Sequence, residues 1–348
     1  MKNSLPARRI GTIVRGVLIF VIILFVSLAA FFVLRPAYTP AIAGADAIAE
    51  LDRIELGGVS QSVLIRGRST SNPILLFLHG GPGMPMMYLA YRFQRPLEDK
   101  FIVVQWDRRG AGKSYDPKLP IGTMRVSQEI SDTRDLVNYL RKRFHQRDVY
   151  LVGHSYGTYL GMLVVERYPK LFKAYVGIGQ LGCSSDGNRS FQDAWLRRKA
   201  ASAHNQEVLD QLSGKAPLDR ERWLFEFGGE VRGMKSFIPL IMIGLRAPEY
   251  SFSDAMNVRK GVAFTHKHLR FDVTSEKSGL MDAVPVVNVP VFFFTGRHDE
   301  TDPHECTEKY FMKIKAPRKG LVWFDHSAHF PFLEENQKFV SELEKLAQ

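Results

Sequence analysis

The chain has 348 residues, 45% of them apolar and 24% charged, a globular composition that excludes disorder along its whole length. Its 47 basic against 36 acidic residues leave a formal charge of +11, but no basic stripe interleaved with stacking aromatics accompanies that charge, so nucleic acid is not an expected partner. A solvated basic surface is expected, with attraction to anionic lipid as the alternative, and the length calls for one large domain with an insertion.

The first element is the uncharged run GVLIFVIILFVSLAAFFVL, Gly16 to Leu34. At about 1.5 Å per helical residue, its roughly 19 residues reach about 28 Å, close to the hydrocarbon thickness of a bilayer. Lys2, Arg8, Arg9 and Arg15 precede it. The positive-inside bias then predicts a cytoplasmic N-terminus (1–9), an uncleaved transmembrane anchor (10–35) and a periplasmic or extracellular domain beyond. A cleaved signal peptide is the rival, with Ala41 to Ala45 (AIAGA) as its small-residue site. Residues 36–50, with two prolines among small side chains, read as a tether.

Leu51 to Gly67 holds two strand-like runs around Gly57-Gly58, a hairpin pattern. Short runs that are apolar throughout follow and end in glycines or charges: Ile74 to Leu78, Phe101 to Trp106, Val149 to Val152, Ala174 to Gly179, Val291 to Asp299 and Gly320 to His329. Such runs suit strands buried on both faces of a parallel sheet. Helical spacing appears between them, as in Ile130, Leu136, Val137, Leu140 and Phe144, in the stretch that Pro169 ends, and in the closing NQKFVSELEKLA. The alternation predicts an α/β fold with a mainly parallel sheet flanked by helices, its core over 51–181 and 285–348. From 182 to 284 the rhythm breaks into mixed helical stretches, read as an inserted helical cap. The apolar stretch Phe237 to Leu245 within it is expected to pack on the core, with a substrate tunnel or membrane-facing patch as the alternative. Cys183 and Cys306 make no metal site by themselves, and whether they pair is not readable from their spacing.

Ligands in such sheets bind at the carboxyl ends of the strands, where this chain carries His79, Gly81, Asp107, Ser155, Asp299 and His329. Ser155 lies in Gly153-His-Ser-Tyr-Gly157, between a strand-like run and a helical one. A hydroxyl is a weak nucleophile and needs a base within reach, and a sharp strand-to-helix turn thrusts it clear of the sheet. The new helix offers the Tyr156 amide to an oxyanion, and the HGGPG loop, His79 to Gly83, offers that of Gly81. Chain order then points to Asp299 as the acid, with Asp302 as runner-up, and to His329 as the base, with His326 as competitor.

HGGPG, then WDRRGAGKS (Trp106 to Ser114), then GHSYG resembles the α/β-hydrolase superfamily, more narrowly its prolyl aminopeptidase-like (proline iminopeptidase) branch. The resemblance covers most of 51–348. It implies a Ser155–Asp299–His329 triad, a helical cap, and hydrolysis without metal or cofactor. The aminopeptidases carry G-G-S-W-G and D-Q-R-G where this chain has His154, Tyr156 and Arg108. They also use cap glutamates to hold the substrate's free amine, and Glu207, Glu226, Glu230 and Glu249 are the candidates here. A serine at the elbow argues against epoxide hydrolase or dehalogenase chemistry, which needs a carboxylate there. The expected function is a membrane-anchored serine hydrolase acting through an acyl-enzyme on a small ester, amide or short peptide. A carboxylesterase or lipase-type hydrolase is one alternative, and a non-catalytic anchored binding domain on the same fold is the other.

Overall fold

The computed structural model describes residues 7–273 and 278–347; in the N-terminal helix it describes the side chains of 15–27, 30, 33 and 34. That helix, α1, spans Ala7–Leu34. It contains the segment expected to cross a membrane, and Val17 to Val26 are exposed. Part of the apolar run lies outside the described side chains, as does the whole of the expected cytoplasmic segment 1–9. Among the described residues no helix is long and apolar enough to cross a membrane. The chain after α1 is pinned. Arg35 donates to the carbonyls of Ala247 and Tyr250 at 2.7 and 3.1 Å, and the Tyr38 amide donates to Pro248 O at 2.9 Å.

Eight strands form one sheet: β1 (Ile48–Leu56), β2 (Val59–Gly67), β3 (Ile74–Leu78), β4 (Ile102–Trp106), β5 (Val149–His154), β6 (Phe172–Ile178), β7 (Val291–Gly296) and β8 (Lys319–Phe324). Their order is β1-β2-β4-β3-β5-β6-β7-β8. The β1–β2 and β2–β4 pairs are antiparallel and all the others parallel. The hairpin forms where Gly57 and Gly58 take φ of 56° and 71°, a two-residue turn open to glycine on both positions. It starts at Ile48, three residues ahead of the expected hairpin and inside the expected tether. Every residue of β3, β4, β5 and β7 is buried, as the unbroken apolar runs predict for strands covered on both faces. Helices α2 (Val126–Arg143) and α3 (Tyr156–Arg167) cover one face, with Ile130, Leu136, Val137 and Leu140 in the core.

Between β6 and β7 the described chain adds helices and no strand of this sheet: α4 (Ser185–Ser202), α5 (Gln206–Leu212), α6 (Arg220–Glu226), α7 (Ile238–Arg246) and α8 (Phe252–His268). Ser184, Asn205, Asp219 and Ser251 cap α4, α5, α6 and α8 by accepting a backbone N–H. Each such cap contributes about 1 kcal/mol. Trp195, Leu196, Val208, Trp223 and Leu224 give the insert a small core of its own. Ties of several kinds join it to the rest of the fold. Tyr250 donates to Asp107, Lys113 Nζ pairs with Asp254 at 2.6 Å, and Cys183 forms a disulfide with Cys306. A cross-link of this kind contributes about 2–4 kcal/mol by restricting the unfolded chain. The apolar stretch of α7 divides. Leu240 and Gly244 face inward as expected, while Ile238, Ile241 and Met242 are exposed.

After β7 come α9 (His304–Lys313) and, closing the chain, α10 (Asn336–Leu346). Helix α10 buries Phe339, Val340 and Leu343 on the sheet face opposite α2 and α3.

Candidate active site

Strand β5 ends at His154 and α3 begins at Tyr156, so the whole change of direction falls on Ser155. Its φ of 53° and ψ of −124° lie in a region that a side chain occupies only under strain. The turn is tight enough to explain the flanking glycines. A Cβ on Gly153 would lie 2.5 Å from Gly157 O, and one on Gly157 would lie 2.1 Å from Leu78 O, so any other residue would force strand and helix apart. Ser155 is half-buried, and among the described residues its hydroxyl makes no hydrogen bond.

His329 follows β8, buried to 2% exposure. Its Nδ1 donates to Asp299 Oδ2 at 2.9 Å. Asp299, just past β7, is held in turn by the amides of Thr301 and Asp302, which donate to its Oδ1 at 3.1 and 3.0 Å. The competitor His326 is exposed on the same loop, and its N–H donates to Glu335. Asp302, the alternative acid, sits at the other nitrogen: its Oδ2 is 3.8 Å from His329 Nε2. Among the described residues no hydrogen bond joins Ser155 Oγ to His329. Burial, the largest single influence, disfavours a charged imidazole, but the charge and hydrogen bond of Asp299 together with the charges of Asp302 and Glu230 outweigh it, and His329 is raised to about 10.

His154 fastens this loop from below. Its ring lies 4.6 Å from that of His329, and its Nε2–H donates to the His329 carbonyl at 2.9 Å. Burial, then the charge of His329, holds His154 far below the usual range and so neutral.

The three glycine-rich motifs converge on one buried network. Tyr156 OH donates to Glu129 Oε2 at 2.7 Å, and Arg108 Nε donates to Glu129 Oε1 at 3.4 Å. The Arg108 guanidinium lies 5.4 Å from the centre of the Tyr156 ring. The Arg108 amide donates to His79 Nε2 at 3.2 Å, and His79 Nδ1–H donates to Gly80 O at 3.0 Å. Burial and then the Arg108 charge keep His79 neutral, which leaves Nε2 free to accept. Two departures from the aminopeptidase pattern, Arg108 and Tyr156, are thus a matched pair bridged by Glu129. The loop they hold passes over the nucleophile, since a Cβ on Gly80 would lie 3.1 Å from Ser155 Cβ. The N–H groups of Gly81 and Tyr156 have no hydrogen-bond partner among the described residues.

Of the four candidate glutamates, the structure brings one to this site. The Glu230 carbonyl accepts from His329 N at 2.9 Å, and its buried carboxylate accepts from the Thr301 hydroxyl. Burial raises Glu230. Glu207 is exposed and Glu226 half-buried, and they pair with Arg222 at 2.9 and 3.6 Å, while Glu249 is buried beside Arg95 and Thr39. Glu300 escaped the sequence reading although it adjoins Asp299. It is buried, its Oε2 has no hydrogen-bond partner among the described residues, and burial, then the charges of Glu305 and Asp299, push it up to about 8. Glu129 and the fastening role of His154 were missed as well, because both act through contacts between distant segments.

The model of the alpha/beta hydrolase fold matches residues 73–336. The probable aminopeptidase YbaC of Bacillus subtilis (strain 168) is 30% identical over 310 residues, covering 86% of this chain and 97% of the relative. The proline iminopeptidase of Clostridioides difficile (strain 630) is 24% identical over 285 residues, covering 77% and 87%. Among solved structures, the proline iminopeptidase of Mycobacterium smegmatis superposes with a TM-score of 0.63 at 17% identity, covering 86% of this chain and 97% of its own.

Proposed function

Because this chain belongs to the α/β-hydrolase fold family, in its prolyl aminopeptidase-like branch, we propose that it is a serine hydrolase cleaving small amides, esters or short peptides that carry a free amine. The observation that carries this is Ser155, held on a strained elbow at the end of β5 and adjoining His154, whose ring lies 4.6 Å from that of His329 in the buried His329–Asp299 pair. Ser155 Oγ attacks the substrate carbonyl while His329 Nε2 takes its proton. Asp299 fixes the tautomer through Nδ1 and stabilises the imidazolium. The amides of Gly81 and Tyr156 receive the oxyanion, each worth about 2.7–4 kcal/mol of barrier. His329 then protonates the leaving group, and water releases the acyl-enzyme by the same steps in reverse. The insert, 182–284, serves as a cap over the strand ends.

The free amine is assigned from Glu230, a buried carboxylate whose own backbone carbonyl holds the His329 amide and whose charge acts on the base. A buried carboxylate without a full set of donors is costly, and a substrate ammonium would relieve that cost. Turnover of a prolyl or alanyl arylamide should therefore exceed that of the matching des-amino acyl compound. Glu230→Gln should raise KM for the amine-bearing substrate relative to the acyl one by about tenfold or more. Preference for the acyl compound would assign a carboxylesterase instead.

We place the catalytic domain outside the cytosol, with α1 as its anchor. Three features support this: the exposed apolar side chains Val17 to Val26, the basic residues ahead of them, and the disulfide, which is rare in reducing compartments. The exposed Ile238, Ile241 and Met242 of α7 lie in the helix leading to the turn that Arg35 grips, which suits a face turned toward lipid. Full-length protein should stay with membranes through an alkaline carbonate wash, with its two cysteines resistant to thiol blocking until reduced. Release by the wash would remove the anchor.

A further inference from the structure

The imidazole of His329 has a carboxylate at each nitrogen, Asp299 at Nδ1 and Asp302 at Nε2. Nε2 is the atom that must take the Ser155 proton. Asp302 is 6% exposed; its Oδ1 accepts from Asn188 at 3.3 Å, and its Oδ2 has no hydrogen-bond partner among the described residues. Carboxylate oxygens buried in this way call for a cation. In the free enzyme the cation within reach is an imidazolium at His329, and a protonated imidazole cannot act as a base.

We propose that Asp302 links the charge of the substrate to the state of the base: a bound ammonium takes over the buried carboxylates, the imidazolium gives its Nε2 proton to solvent, and Nε2 then accepts from Ser155. This rests on the amine-bearing substrate argued above. The enzyme is thus switched on by the group it recognises, and a neutral ester meets a base that is still protonated. Burial, partly offset by His329, raises Asp302 to about 7, so it shares the proton inventory of the site. The other groups facing His329 are otherwise engaged. Asp299 is fixed on Nδ1 by two amides, and His154 is neutral. Glu334 accepts from the amides of Arg232, Ala328 and Phe330. Glu230 holds the Thr301 hydroxyl and adds its charge to those acting on His329.

The test compares alanyl and propionyl 2-naphthyl esters, which differ only in the ammonium, on the full-length protein in detergent. The acid limb of kcat reports the enzyme–substrate complex. That limb should lie at lower pH for the alanyl ester by about one unit or more, the size of shift that a charge within 4–6 Å produces. Asp302→Asn should move the propionyl limb down toward the alanyl one, and Asp302→Glu should restore the gap. Ethylammonium added to the wild type at pH 6 should raise propionyl turnover, a readout independent of whether the variants fold. Superposed limbs in the wild type, or a gap undiminished in Asp302→Asn, would overturn the proposal. Turnover of the propionyl ester alone would instead overturn the amine reading beneath it.

Discussion

Ser155→Ala is expected to abolish labelling by a fluorophosphonate probe and to lower kcat by about 10⁶-fold, as when the nucleophile of a comparable triad is removed. The loss is chemical, not structural. The hydroxyl is half-buried and makes no hydrogen bond among the described residues, so its removal leaves no buried group unsatisfied. Thermal stability should change by about 0.5 kcal/mol or less, as for a surface substitution. A residual rate above that of water should survive, because the amides of Gly81 and Tyr156 and the binding groups stay in place. Undiminished labelling in the variant would move the nucleophile elsewhere and leave only the fold standing.

Asp299→Asn is expected to lower kcat by about 10⁴-fold, and the hydrogen-bond pattern says why. Oδ1 accepts from two backbone amides, so the carbonyl oxygen of the asparagine must take that position. Its NH₂ then faces His329 Nδ1, which must turn from donor to acceptor. The ring proton moves to Nε2, and the atom that should receive the Ser155 proton already carries one. The fold should be unaffected, since both amides keep their acceptor. Single-turnover kinetics would locate the defect in acylation. An equal loss in Asp302→Asn, with little in Asp299→Asn, would exchange the roles of the two acids.

The spacing of glycines and apolar runs was enough to read the parallel sheet, the hairpin at Gly57-Gly58 and the candidates Ser155, Asp299 and His329. Those features are local: a strand covered on both faces must be apolar throughout, and a strand-to-helix turn this sharp admits only glycine two residues to either side of its apex. Two choices are made only by the tertiary structure. His326 and His329 share one loop, and only the chain's path puts the first in solvent and the second on Asp299. Asp299 and Asp302 are three residues apart, and only the loop's curvature sends them to opposite nitrogens of one ring.

The partners of Arg108 and Tyr156, the pairing of Cys183 with Cys306, and the selection of Glu230 from four glutamates were decided by tertiary structure alone. Each joins segments far apart in the chain, from Glu129 with Tyr156 to the two cysteines 123 residues apart. Local pattern records what a residue does to its own backbone. It carries no record of which distant carboxylate is driven, by burial of the segments around it, into the neighbourhood of an imidazole.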